Sequence, residues 1–165
     1  AIPLSGVMAR RDCLTAVGGF SAEMFGAEDR DLWVRLAAKY PAARVDAVLA
    51  WLRHTPGSVS RNAERTERAD RAVIDRTFAL PELRRDWKLR RRALAYLYYS
   101  SAVTYLGAGR PAAAAVRAAR ALAVWPAALP PRDGRTRFAR PKLLARTVLR
   151  VLSGPPLPVG QRGSG

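Results

Sequence analysis

The apolar positions fall into stretches whose spacing changes several times along the chain. Between Glu28 and Tyr40, the residues Leu32, Trp33, Leu36, Ala37 and Tyr40 recur every three or four positions, the repeat of one buried helix face. Asp31 and Arg35, four apart, can pair on the outer face of that helix, and Pro41 ends it. Upstream, an apolar stretch from Ile2 to Met8 leads to a short helix over residues 11–17. A Gly18-Gly19-Phe20 reversal follows, since paired glycines admit backbone angles closed to other residues. Residues 44–52 partly alternate and are rich in β-formers, which predicts a strand ending in the turn Thr55-Pro56-Gly57-Ser58.

The second part of the chain reads as helical. Residues 62–78 predict a charged, solvated helix with few apolar members, and a long helix is expected from Pro81 or Leu83 to Leu106. The uncharged run 93–109 is shorter than the ~20 apolar residues a membrane span needs, and it contains four tyrosines. It reads as a buried amphipathic helix. After Gly107-Ala108-Gly109-Arg110-Pro111 a further helix runs from Ala112 to Val124. Tyr98, Ala102, Tyr105, Ala114, Ala121 and Pro126 resemble one tetratricopeptide unit, which alone cannot bury its own face. Residues 139–152 predict a basic amphipathic helix, with Leu144, Val148, Val151 and Leu152 on one side and Arg146 and Arg150 on another. Beyond Ser153 the Gly, Pro and Ser content predicts a disordered tail.

Charge changes this picture more than composition does. The net charge is +16, and residues 63–165 hold 21 basic and 7 acidic side chains against 8 and 6 in residues 1–62. A basic half attracts nucleic acid, anionic lipid or phosphorylated substrate. An Arg- and Ala-rich composition is also what a GC-rich coding sequence produces without such a partner. The single cysteine, Cys13, rules out an internal disulfide framework and a Cys-rich zinc site, and it fits a reducing, cytosolic setting. The start at Ala1, without a signal-like segment, suggests a fragment or a processed product.

The residues with most chemistry are the carboxylates at the start of the first long helix, in Gly26-Ala27-Glu28-Asp29-Arg30-Asp31-Leu32-Trp33-Val34-Arg35-Leu36. Asp29 lies four before Trp33 and so stands above the apolar face. The plain reading is capping of free amides at a helix N-terminus. The functional one is a general base at the mouth of a cleft.

The run Gly18-Gly19-Phe20, then Glu28-Asp29-Arg30-Asp31-Leu32-Trp33-Val34-Arg35, resembles the acceptor-side signature of family-2 glycosyltransferases with the GT-A fold. Ser5 to Arg11 is similar to the strand and turn before it, and Arg53-His54-Thr55-Pro56-Gly57-Ser58 to the motif after it. The resemblance covers residues 1 to about 62. It implies an inverting transfer of a hexose from a nucleotide-sugar donor to a hydroxyl of a glycan, lipid-linked or protein acceptor, as in bacterial cell-wall or polysaccharide synthesis. Asp29 would be the base, Glu28 would position or tune it, and Trp33 would support the site from the core. Gly19, Asp31 and Arg53 would contact substrate, Arg53 by bidentate binding of phosphate oxygens. The positive end of a helix favours a carboxylate there, so catalysis would lean on positioning and on stabilising the leaving diphosphate.

Three departures from that family stand out. Ser21-Ala22 occupy the place of an Asp-Glu pair, with Glu23 one step later. His54, a candidate ligand for the Mg or Mn ion the family implies, is one residue out of register. No Asp-x-Asp motif precedes the acceptor signature, so the donor site and most metal ligands would lie in missing upstream sequence, and the isolated fragment is expected to be inactive.

The expected fold is thus an α/β fragment, the acceptor-side half of a GT-A domain over residues 1–62. A basic helical extension with one tetratricopeptide-like hairpin follows over 63–152, then a tail over 153–165. The alternative function is a basic helical binding module without catalysis, on anionic membrane or nucleic acid. Nucleic acid is the less favoured partner, because the helices show neither zinc ligands nor helix-turn-helix spacing. The C-terminal helix could instead hold the protein at the inner face of the membrane.

Overall fold

The computed structural model describes residues 4–24, 26–51, 62–127 and 139–153. Among these, regular structure is helical: α1 (Arg11–Ala16), α2 (Glu28–Lys39), α3 (Ala63–Thr77), α4 (Trp87–Gly107), α5 (Pro111–Val124) and α6 (Ala139–Leu152), with one 3-10 turn at Leu4–Gly6. This overturns the expected α/β fragment, since no strand is present among the described residues. Residues 44–51 are irregular and exposed, Trp51 at 95%. β-Forming side chains do not make a strand unless a neighbouring strand takes up its backbone groups, and none of the described residues supplies one. The strand expected near Ser5 is likewise a helical turn followed by irregular chain. The tail beyond Ser153 lies outside the described residues.

The ends of the helices follow from local chemistry. Asn62 Oδ1 accepts from the Arg65 N–H at 2.9 Å and Asp86 Oδ1 from the Leu89 N–H at 2.9 Å, which caps α3 and α4. That cap sets the start of α4 at Trp87, later than the expected Pro81 or Leu83; the intervening residues form turns. α4 ends in a Schellman motif. Gly109 (φ +72°) donates to Leu106 O, and Arg110 to Tyr105 O. Pro111 then opens α5, at a position where its missing N–H costs nothing.

α5 folds back antiparallel on α4, so that Arg91 near the start of α4 donates from Nε to Val124 O at the end of α5, 2.8 Å. Small side chains make the approach close: Ala102, Ala114, Ala118 and Ala121 are buried, with Tyr105 beside Ala114. α6 packs on α5, and α3 packs on both α2 and α4. Arg140 fastens α6. Its buried guanidinium donates to Ala121 O at 3.1 Å and to the carbonyls of Trp125 and Ala127. A cation there satisfies acceptors left open at a helix C-terminus and complements its dipole.

Candidate functional site

The Gly18-Gly19 reversal is the C-terminal stop of α1. Gly18 (φ +80°) donates to Thr15 O at 3.0 Å, and Gly19 (φ +63°) to Leu14 O at 2.9 Å, again a Schellman motif. Arg35 then ties this stop to α2. Its guanidinium donates to the carbonyls of Val17 and Gly19, the latter at 2.8 Å, while Nε donates to Asp31 Oδ2 at 2.9 Å. The glycine turn and the Asp-x-x-x-Arg pair are therefore one connected unit.

Asp31 is 3% exposed rather than on an outer face, because α3 covers it. Arg76 of α3 donates from Nε to Asp31 Oδ1 at 3.1 Å and from a terminal nitrogen to Glu23 at 2.8 Å. Both oxygens of Asp31 are thus engaged by arginines. A second ion pair, Arg30 with Asp70, and an apolar contact of Met24 and Ala27 with Ala69 and Val73 complete the α2–α3 junction. Arg76 had no signal in the sequence; it lies 45 residues from Asp31 on a helix that reads as solvated.

Glu28 and Asp29 stand at the open end of this unit. Ala27, not an acid, occupies the N-cap position of α2. Glu28 accepts from the Gly26 N–H at 2.7 Å, and Asp29 Oδ1 from the adjacent Arg30 N–H at 2.7 Å. The second oxygen of Asp29 has no partner among the described residues, which leaves it available to a hydroxyl. Trp33 is half-buried, and its indole N–H meets no acceptor among the described residues. Of the expected site residues, hydrogen bonds join Gly19 and Asp31 through Arg35, while Glu28, Asp29 and Trp33 stand on the same helix start with no hydrogen bond to that unit. Arg53 and His54 lie outside the described residues.

No group of three or more His, Cys, Asp or Glu side chains suited to a metal comes together among the described residues, and Asp31 is already saturated by arginines. The expected ligand His54 lies outside the described residues, and the mechanism below is derived without a metal ion.

Elsewhere, Tyr105 is buried between two guanidinium groups, Arg117 at 4.4 Å and Arg110 at 5.1 Å from the ring centre. Burial, and then the nearby Glu67 carboxylate, push its phenol above the ordinary value. Arg110 also donates to Glu64 at 2.7 Å, which holds that carboxyl below the usual range. A groove of about 840 Å³ lies between α4 and α6 and is lined by none of the expected site residues. Among the described residues no helix is long and apolar enough to cross a membrane. Compared with protein-family models, curated proteins and solved structures, the chain matches none.

Proposed function

We propose that this chain is the acceptor-side portion of an inverting glycosyltransferase, with Asp29 as the base. The reading keeps the chemistry of the motif and drops the α/β fold. Asp29 takes the proton from the acceptor hydroxyl as its oxygen bonds to the anomeric carbon. The bond from that carbon to the donor's phosphate oxygen breaks, and the nucleoside diphosphate leaves from the opposite face. Glu28, held by the Gly26 N–H, fixes the turn that leads into the helix start carrying Asp29. Asp31 acts on position rather than on substrate, by holding Arg35 and so the Gly19 turn beside the helix start.

The observation that carries the reading is this union of motif parts. Arg35 joins the glycine turn to the acidic helix start, and one oxygen of Asp29 is left without a partner among the described residues. Trp33, with an indole N–H lacking an acceptor there, supports a site that a further group completes. The exposed apolar segment Val45–Trp51 supports a chain that docks against additional protein.

The test is sugar transfer by the full-length gene product, using a radiolabelled nucleotide-sugar. Asp29→Asn is expected to lower kcat by roughly 10²–10⁴-fold, the range supplied by a positioned general base, with unchanged helix content by circular dichroism. Transfer at near wild-type rate would remove Asp29 from the reaction.

A further inference from the structure

We propose that α6 is the surface by which this chain lies on an anionic lipid membrane. Leu149 and Leu152 would enter the boundary between headgroups and acyl chains, while Lys142, Arg146 and Arg150 meet lipid phosphates. The inference is independent of the transferase reading and stands on three features of α6.

The first is which way the helix turns. Its buried positions are Arg140 and Thr147, the polar residues that seat it on α5 and its C-terminal carbonyls. At about 100° per residue, Ala145, Leu149 and Leu152 fall on the opposite side. Leu149 is 65% exposed and Leu152 77%. A helix that serves only to pack on its own protein turns its leucines inward and its arginine outward. Leu143 and Leu144 are half-buried on the packed side, but Leu149 and Leu152 face out.

The second is charge. Lys142, Arg146 and Arg150 recur every four residues beside these leucines, and α6 contains no acidic residue. Four other arginines of the helical part are occupied: Arg90 by Asp75, Arg110 by Glu64, Arg117 by Glu67 and Arg140 by carbonyls. Lys142, Arg146 and Arg150 have no hydrogen bond or ion pair among the described residues. A row of unneutralised cations beside exposed leucines matches the surface of an anionic bilayer, phosphate outside and hydrocarbon beneath. A nucleic-acid duplex would offer phosphate but no place for the leucines.

The third is room. The same three cations edge the groove of about 840 Å³, whose walls include Tyr99, Val103 and Leu143. A lipid at the docked surface can therefore set its phosphate on the cations and its upper chain against apolar side chains.

The experiment is co-sedimentation of the full chain with vesicles of phosphatidylcholine alone, or of phosphatidylcholine and phosphatidylglycerol in equal parts. Binding is expected to the mixed vesicles and to be much weaker to the neutral ones. Lys142→Ser/Arg146→Ser/Arg150→Ser should weaken it roughly a hundredfold, as expected for three cations at the surface. Arg84→Ser/Arg85→Ser/Arg120→Ser removes equal charge from exposed positions outside α6 and should stay within about twofold of the parent. Leu149→Ser/Leu152→Ser should weaken binding at least about tenfold with every charge retained. All of these side chains are exposed, so helix content by circular dichroism should not change. Equal loss in the two triple variants would mean that net charge, not this face, is read, and would overturn the proposal. So would undiminished binding by the leucine variant, absence of binding to mixed vesicles, or tighter binding to duplex DNA than to the vesicles.

Discussion

Asp31 lies where three parts of the chain meet, and its loss should be felt in all of them. It anchors Arg35, which holds the carbonyls of Val17 and Gly19, and it receives Arg76 from α3. The carboxylate is buried while Arg76 is substantially exposed, so the network falls between a surface ion pair and a fully buried one. Asp31→Asn removes the charge and turns an amide N–H₂ toward a guanidinium. Urea denaturation should show a loss of about 2–3 kcal/mol. Tyr105 makes a prediction at the alkaline end. Its phenol holds its proton more tightly in the folded protein than in the unfolded chain, because burial disfavours the phenolate. The resulting stability is complete below the unfolded value of about 10, and it is lost as pH rises through the higher folded value. Tyr105→Phe should flatten this alkaline decline in thermal melts. A Tyr105→Phe protein with the same decline would locate its cause elsewhere.

Helices were legible in the sequence where periodicity and end signals agreed. α2, α3, α5 and α6 occupy the stretches their patterns predict, within one residue at each end. Residues 44–51 show the opposite case. Propensity for strand was visible there, but a strand is a property of two segments and the partner was not visible. The site divides in the same way. The glycine stop, Arg35 and the acidic helix start are local and could be read from spacing. The inward turn of Asp31 could not, because it depends on α3 arriving to cover it, 45 residues along. Nor could the role of Arg140, which looked like one more cation on a basic helix and instead caps α5. The α4–α5 contact rests on alanine, which suggests a direct check of its closeness. Ala114→Leu adds bulk where Ala114 is fully buried against Tyr105. It should lower stability by roughly 1–3 kcal/mol in thermal or urea unfolding.

Across the whole molecule, the two signs of charge are separated. Residues 87–165 hold fifteen basic side chains and one acidic one, Asp133. Nearly all the carboxylates therefore belong to α1, α2, α3 and their connections. Those on α3 neutralise arginines of α4, the following turn and α5, while Lys142, Arg146 and Arg150 of α6 meet no carboxylate among the described residues. The arrangement of the helices has a consequence of a different kind. Each of the larger interfaces joins elements adjacent in the chain: α2 with α3, α3 with α4, α4 with α5, and α5 with α6. A chain that closes mostly local contacts meets small entropic barriers, so its helices should assemble within microseconds to milliseconds. During synthesis each helix from α3 onward emerges to find a partner already made, and folding can follow the ribosome from one end to the other.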